Sequence, residues 1–217
     1  MHGECQGASG AAARRVAVYI DGFNLYFGLR EAGWRRFYWL DLARLAENLL
    51  KPGQSLVAVK YFTSRVRGSP AKAKRQATFL EANLALGRCE IFYGHYLLDE
   101  KTCPACGKTY SVPAEKMSDV NLAVELLADA VADRFDVALL ISADSDLTPL
   151  VQKLRRLYPR KVLVVAHPPK RHSTSLAGVA HAAFTIGRAK LAASLLPAEV
   201  RKTDGTVLTC PAAWSHR

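Results

Sequence analysis

Residues 137–146 read VALLISADSD, a run of five apolar residues followed at once by a turn that carries two aspartates. A short unbroken apolar run of this kind is typical of a strand buried on both faces of a sheet. Four similar runs lie at residues 16–20, 56–62, 89–93 and 162–166, and segments with helical periodicity separate them. This alternation predicts an α/β fold in which helices cover both faces of a mostly parallel central sheet.

The composition is that of a folded domain rather than a disordered, fibrous or membrane-spanning chain. The chain has 217 residues, of which 50% are hydrophobic, and it contains no run of the roughly 18 apolar residues that a membrane span needs. Small and polar residues precede the Arg14-Arg15 pair, the reverse of the order in a secretory signal, so we expect a cytoplasmic protein. We expect a disordered N-terminal tail over residues 1–13, one domain over 14–197 and a C-terminal tail over 198–217.

The positive charge is concentrated in the last third of the chain. The net charge is +11, and positions 147–217 hold 12 basic residues against 2 acidic ones. A positive field attracts phosphates, which indicates a nucleic-acid partner. The alternative is a solvated basic surface that only aids solubility.

Acidic residues directly follow two of the predicted strands. Asp21 ends the first run with Asn24 three residues later, and Ser142, Asp144 and Asp146 follow the run 137–141. In open parallel sheets, ligands bind beyond the carboxyl ends of the strands, where these side chains are expected. Four of the five also have a simpler interpretation, since Asp21 and Ser142 suit turns, Asn24 suits a capping amide, and Asp146 can cap the helix after it.

A further acid, Asp119, lies at the start of the helix that precedes the run 137–141. Glu125, Asp129 and Asp133 recur every four residues on that helix and predict a solvated face. Asp119 is about 120° away from Glu125 on a helix of 3.6 residues per turn, so we expect it against the sheet edge. Its simpler role is to interact with the helix dipole.

If the strands are neighbours, the four aspartates converge on one pocket. Several carboxylates at close quarters cannot all stay ionised without a cation. Hard oxygen ligands select Mg²⁺ or Mn²⁺, either of which can activate water for attack on a phosphoryl group. The sequence therefore predicts a divalent ion held by Asp21, Asp119, Asp144 and Asp146.

Basic residues follow two other predicted strands. Arg65 and Arg67 come after the run 56–62, and Lys170 and Arg171 come after the run 162–166. These positions predict phosphate contacts on the rim that carries the acids. The segment 34–39, WRRFYW, suits either base stacking or core packing, and we favour the core for Phe37 and Trp39.

A possible zinc site lies in the segment 95–115, which fits no strand of the sheet and predicts a small insertion. Cys103 and Cys106 have the CxxC spacing of half a structural zinc site, and His95 is a candidate third ligand. The alternative is two reduced cysteines in a turn. The five cysteines are odd in number and irregularly spaced, which argues against a secreted disulfide framework.

Three segments together resemble the NYN-domain family of the PIN-like nuclease superfamily. They are YIDGFNLYFGL at 19–29, EKMSDVNLAVELLADA at 115–130 and ALLISADSDLTPLV at 138–151. The resemblance implies a PIN-like three-layer α/β/α sandwich. It also implies metal-dependent cleavage of RNA.

The family's site residues carry over to matching positions in these three segments. Its acidic positions fall on Asp21, Asp119, Asp144 and Asp146, and its asparagine falls on Asn24. Lys116 lies inside the second segment, where it is a candidate phosphate contact or simply a solvent-exposed lysine.

We therefore predict a metal-dependent ribonuclease acting on single-stranded RNA, with Mg²⁺ or Mn²⁺ as cofactor and Zn²⁺ as a structural option. Two alternatives remain. One is a non-catalytic RNA-binding or regulatory module with the same fold. The other is a phosphatase in which Asp144 of the DxDxT pattern is the nucleophile, although after Asp146 only Glu199 and Asp204 are acidic. The sequence leaves the oligomeric state open, including a homo-oligomer.

Overall fold

A computed structural model describes residues 12–67 and 69–215, so the predicted N-terminal tail lies almost wholly outside the described residues. The strands are β1 (Arg14–Asp21), β2 (Gln54–Thr63), β3 (Glu90–Tyr93), β4 (His95–Thr102), β5 (Thr109–Lys116), β6 (Val137–Ile141), β7 (Val162–His167), β8 (Ala182–Thr185), β9 (Glu199–Arg201) and β10 (Val207–Thr209). The helices are α1 (Gly22–Glu31), α2 (Leu42–Leu49), α3 (Pro70–Ala85), α4 (Ser118–Val131), α5 (Thr148–Leu157), α6 (Thr174–Val179) and α7 (Arg188–Ala192). Short 3₁₀ turns lie at Arg35–Tyr38, Ser145–Leu147 and Ala212–Trp214. None of the helices among the described residues is long and apolar enough to span a membrane.

The central sheet has six strands in the order β3-β2-β1-β6-β7-β8, and all neighbouring pairs are parallel. Every apolar run singled out in the sequence is one of these strands. Strand β8 was not predicted, because it is an edge strand of only four residues, shorter than the apolar runs by which the other strands were found, and its side chains are all exposed. Since the strands are parallel, the carboxyl ends of β2, β1, β6 and β7 meet at one edge of the sheet.

Strand β1 supplies side chains to two separate cores. Val18 and Ile20 pack with residues of α1, α2, α3 and α7, whereas Ala17 and Tyr19 pack with residues of α4, α5 and α6. Because successive strand residues point to opposite faces, the sheet is covered by helices on both sides. The predicted three-layer α/β/α sandwich is confirmed.

Helix α4 corrects one prediction, since Asp129 does not belong to a solvated stripe. Asp129 is 2% exposed, and its Oδ2 lies 2.7 Å from Nζ of Lys60 and accepts a hydrogen bond of 2.7 Å from the hydroxyl of Tyr19. Glu125 also lies 2.7 Å from Nζ of Lys60. The cation that holds these acids comes from β2, so the spacing along α4 alone gave no sign of it.

Strands β4 and β5 form an antiparallel hairpin that is separate from the central sheet. This hairpin is the predicted cysteine-containing insertion, and it joins β3 to α4. Asn121 in the first turn of α4 donates from Nδ2 to the backbone carbonyl of Tyr93 at the end of β3, at 3.2 Å. The start of α4 is thereby attached to the edge of the sheet.

The segment predicted as a C-terminal tail contains the hairpin of β9 and β10 and then Trp214. The indole of Trp214 packs edge-on against Tyr38, with ring centroids 5.7 Å apart, and against Phe79, at 6.4 Å. These contacts hold the end of the described chain against α3 and the 3₁₀ turn Arg35–Tyr38.

Candidate functional site

Three aspartates meet at the carboxyl edge of the sheet. Asp21 ends β1, Asp144 follows β6, and Asp119 lies in the first turn of α4. Each offers a carboxylate oxygen, and these oxygens all lie within 4.8 Å of one another. Three of the four predicted acids are thus brought together, from three elements far apart in the sequence.

The register between β1 and β6 places Ser142 beside Asp21. Ile20 pairs with Ile141, so the next residue of each strand lies at the same level of the edge. The hydroxyl of Ser142 donates to Oδ2 of Asp21 at 2.9 Å. Asn24 donates to Asp21 from its backbone N–H at 3.0 Å and from Nδ2 at 2.5 Å. Ser142 and Asn24 therefore fix both carboxylate oxygens of Asp21.

The burial of Asp21 affects the pKa of its carboxyl group. The residue is 3% exposed, and desolvation raises the pKa of its carboxyl group although the hydrogen bonds from Asn24 and Ser142 act in the opposite direction. The nearby charge of Asp144 also raises this pKa. A cation at the site would remove this penalty on the charged form.

Asp144 and Asp146 have different places in the loop after β6. Oδ1 of Asp144 accepts from the backbone N–H of Asp146 at 2.9 Å, so Asp144 caps the 3₁₀ turn Ser145–Leu147. Asp146 is exposed and lies outside the group of three carboxylates. It does not cap α5 either, because the residue before that helix is Leu147. Its role in binding metal stays a prediction.

The position of Asp119 depends on the connection between the hairpin of β4 and β5 and helix α4. Met117, between β5 and α4, has a left-handed backbone with φ of 81°, and it takes the N-cap position of α4. Asp119 is then half-buried at the start of the helix, near the dipole's positive end. The side chain of Lys116 lies outside the described part of the chain, so its phosphate contact stays a prediction.

The predicted basic residues flank the acids on both sides. Arg65 and Arg67 follow β2 and are exposed, and the guanidinium of Arg65 lies 4.8 Å from the ring centre of Tyr93. Lys170 and Arg171 follow β7 on the other side, where Lys170 has a positive φ of 61°. Since β1 and β6 lie between β2 and β7, a phosphate chain crossing the acids would meet cations before and after them.

Arg171 is the basic residue that reaches the site most directly. Its Nη1 donates to Oδ1 of Asn24 at 3.3 Å, and its Nη2 lies 2.8 Å from Glu31. Its Nε is buried and has no hydrogen-bond partner among the described residues. Arg171 is therefore linked to Asp21 through Asn24.

His167, the last residue of β7, was missed in the sequence. It is 1% exposed, and its Nδ1 lies 3.1 Å from the backbone carbonyl of Ser142. Burial lowers the pKa of its imidazole, which favours the neutral ring, and the ring of His172 lies 4.5 Å away. The available signal was its position one residue beyond an apolar run, at the edge where the acids lie.

The proposed zinc ligands are only partly brought together. Cys103 and Cys106 share the turn of the hairpin, and backbone N–H groups of Ala105 and Cys106 lower the pKa of the Cys103 thiol. His95 begins β4 at the other end of the hairpin. At about 3.3 Å per residue, the eight residue steps from His95 to Cys103 span roughly 26 Å, too far for the two side chains to share an ion.

The donor set at the sheet edge suits a hard divalent cation. It consists of carboxylate oxygens with the hydroxyl of Ser142 beside them, the ligand type that Mg²⁺ and Mn²⁺ prefer. The burial of Asp21 gives a physical reason for such an ion. The arrangement could therefore bind a metal at the point where ligands of parallel sheets bind.

Comparison with known proteins identifies the family. A curated relative, 6-hydroxy-3-succinoylpyridine 3-monooxygenase of Pseudomonas putida, is 30% identical over 65% of this chain, which spans about half (55%) of that protein's length. A crystal structure of a protein of unknown function from Vibrio parahaemolyticus shares the fold, with a TM-score of 0.55 and 19% identity over 88% of this chain and all of that one. The family model described as the NYN domain matches residues 15–187. The chain therefore belongs to the NYN domain family, within the PIN-like nuclease superfamily.

Proposed function

We propose that this chain is a metal-dependent ribonuclease that hydrolyses phosphodiester bonds of single-stranded RNA in the cytoplasm. The observation that carries the proposal is the group of Asp21, Asp119 and Asp144, whose oxygens lie within 4.8 Å of one another. Membership in the NYN family supports a nuclease-type activity. The excess of basic residues after position 146 supports a polyanionic substrate.

The chain's own residues prepare the site for Mg²⁺ or Mn²⁺. Such an ion, when bound, supplies an activated water and neutralises charge that develops on the phosphoryl group. Ser142 and Asn24 hold the oxygens of Asp21 in place, and the N–H of Asp146 holds Asp144. The exposed carboxylate of Asp146 is proposed as a further metal ligand on the solvent side of the site.

The basic residues are proposed to hold the RNA backbone. Arg65 and Arg67 lie on one side of the acids and Lys170 and Arg171 on the other, with Lys116 as a further candidate. Contacts of this kind position a strand without reading its sequence. We accordingly expect cleavage of single-stranded RNA with little preference for sequence.

The activity named for the Pseudomonas relative does not lead to a second proposal. That activity is named for a protein of which this chain spans about half the length (55%), and no described feature of the carboxylate group points to oxygenation. The alternative that we retain is a non-catalytic RNA-binding or regulatory module, because a fold does not by itself fix an activity.

Cleavage of a labelled single-stranded RNA tests the proposal directly. The reaction is run with Mn²⁺ or Mg²⁺, with EDTA, and with DNA of the same sequence. Asp144→Asn is compared with Asp204→Asn, a control that changes an exposed aspartate in the turn between β9 and β10. Cutting that requires metal and Asp144, but not Asp204, is the expected result. Binding of RNA without any cutting would establish the non-catalytic alternative instead.

A further inference from the structure

An open cavity of about 280 Å³ lies beside the carboxylates, on the α1 side of the sheet. Its walls come from α1, the 3₁₀ turn Arg35–Tyr38, the end of β2, α3 and Trp214. The cavity adjoins the acidic site at two points. Gly22 in its wall directly follows Asp21, and burial together with the charge of Asp21 raises the pKa of Tyr61 in the same wall.

Aromatic rings line the cavity in a continuous series. Tyr26 contacts Tyr38, with ring centroids 5.1 Å apart, and Tyr38 contacts Trp214 at 5.7 Å. The series continues from Trp214 to Phe79 at 6.4 Å and from Phe79 to Tyr61 at 6.0 Å. These rings come from five separate elements, and the end of the wall formed by β2 is the one nearest the acids. A wall of this composition favours a planar aromatic ligand.

The ring of Tyr61 is held tightly at the end of the cavity near Asp21. A Cβ added to Gly22 would lie 2.6 Å from the Tyr61 ring and 2.7 Å from the carbonyl oxygen of Phe62. Glycine at this position therefore lets β2 and α1 approach closely enough for Tyr61 to pack against the first turn of α1. The cavity and the acidic site share this packed boundary.

Two cations from α3 line the same cavity. Lys72 is exposed and Arg75 is half-buried, and neither has an ion pair or hydrogen bond to another side chain within the part of the chain that the structure describes. Together with the aromatic wall, they fit a ligand that combines a flat ring with a negative charge. A nucleotide has this combination of base and phosphate.

We propose that the cavity binds one nucleobase of the RNA on its aromatic wall, with Lys72 and Arg75 on the adjoining phosphate. The assignment to RNA rests on the proposed ribonuclease function. The cavity's position next to Asp21 places the bound nucleotide beside the bond to be cut. A base held there fixes the strand at the metal site by stacking.

The cavity has little capacity to select one base over another. The amide of Gln76 lines it, but its Oε1 accepts from the backbone N–H of Val66 at 2.8 Å and its Nε2 donates to the backbone carbonyl of Ser64 at 2.8 Å. Both ends of that amide are engaged, so Gln76 is not free to read the edge of a base. Stacking on aromatic side chains accepts every base.

Equilibrium dialysis with the four 5′-nucleoside monophosphates, in EDTA, tests the proposal independently of catalysis. The variants are Trp214→Ala, Trp214→Phe and Arg75→Gln, with Arg44→Gln as a control at an exposed arginine of α2 outside the cavity. We expect all four nucleotides to bind with similar affinity. Trp214→Ala and Arg75→Gln should each weaken binding by at least about fivefold, whereas Trp214→Phe and Arg44→Gln should stay close to the unmodified protein.

Three results would overturn the proposal. Ribose 5-phosphate or inorganic phosphate binding as tightly as a nucleotide would show that no base enters the cavity. Pyridine-3-carboxylate binding in place of nucleotides, with the same dependence on Trp214, would assign the cavity to small aromatic acids. If the unmodified protein binds none of the four nucleotides, the cavity is not a nucleotide-binding site. The dialysis is run in EDTA and does not depend on catalysis. A protein that binds nucleotides in dialysis but cuts no RNA in the cleavage assay would therefore contradict the proposed function and leave this inference standing.

Discussion

Nζ of Lys60 lies 2.7 Å from Oδ2 of Asp129, and both side chains are almost completely buried, at 3% and 2% exposure. The pair joins β2 to α4, the helix that carries Asp119. Burial lowers the pKa of Lys60, but hydrogen bonds to Asp129 and Glu125 outweigh it and the net shift is upward. Lys60 therefore stays charged, and its contacts with Asp129 and Glu125 attach α4 to β2.

Replacing Lys60 by Met is expected to destabilise the protein by about 3 kcal/mol, because it leaves the buried Asp129 with only the exposed Arg134, 3.2 Å away, as a cationic partner. Urea unfolding followed by circular dichroism measures the change. Adding Asp129→Asn to Lys60→Met should recover much of the loss, since the buried charge is then gone while Tyr19 can still donate to position 129.

Lys202→Met is a suitable control for this prediction. Lys202 pairs with Glu81 and Asp204, whose side chains are about half exposed, so its loss should cost less than about 1 kcal/mol. If Lys60→Met and Lys202→Met cost the same, the buried pair does not hold α4 in the way we describe.

The sequence predicted the sheet and the acids at its edge because both depend on short-range patterns. The run 137–141 and the turn after it are local features of the sequence, and they place Ser142 and Asp144 directly after a buried strand. The register of Ile20 with Ile141 then follows from two buried parallel strands being neighbours. Asp119 was also placed correctly, since its angle on α4 differs from that of the other acids.

Features that depend on partners from distant elements could not be predicted in this way. Lys60 lies within an apolar run and gave no sign that its charge would meet Asp129. The wall of the cavity unites Tyr38 with Trp214, from a segment that the sequence suggested was a tail. Such contacts depend on how helices pack on the sheet, which residue spacing does not specify.

Binding of Mn²⁺ at the acidic group should be visible as thermal stabilisation. At pH 7 the melting temperature of the unmodified protein is expected to rise with saturating Mn²⁺ relative to EDTA, because the ion binds the folded state alone. Asp21→Asn and Asp144→Asn each remove a ligand and should lose most of the rise. Asp146→Asn should keep most of it, since Asp146 lies outside the group.

Differential scanning fluorimetry with Asp204→Asn as the control measures this difference. An equal rise in all four variants would mean that Mn²⁺ binds elsewhere. A loss in Asp146→Asn as large as in Asp144→Asn would instead make Asp146 a full ligand, as the sequence predicted.

Arg15 should control the acid titration of Asp136. Hydrogen bonds from the side chain and backbone N–H of Arg15 lower the pKa of Asp136 to about 2. In Arg15→Gln this pKa should return toward the ordinary value of about 3.9. Carboxyl NMR titration measures both values. Because the variant keeps the backbone N–H at position 15, an unchanged pKa in Arg15→Gln would exclude the guanidinium of Arg15 as the main cause.

The same pair predicts the direction of a stability change with pH. A carboxyl group whose pKa is lowered on folding stabilises the folded state above the unfolded pKa, and this stabilisation is lost as the pH falls toward 2. The difference in stability between the unmodified protein and Arg15→Gln should therefore shrink between about pH 4 and pH 2. Both side chains are 37% exposed, so solvent screening keeps the effect small.

The cysteines should differ sharply in reactivity, because the thiolate is the reactive form. Backbone N–H groups lower the pKa of Cys103 in the hairpin turn, whereas burial raises the pKa of Cys89 to about 12. At pH 7.5 and in the presence of a chelator, iodoacetamide should alkylate Cys103 well before Cys89, as measured by peptide mass spectrometry. Equal rates would contradict the environments described here.

Repeating the reaction with Zn²⁺ tests the predicted zinc site. Protection of both Cys103 and Cys106 from alkylation would show that both thiols bind the ion. No protection would show that they are two reduced cysteines in a turn.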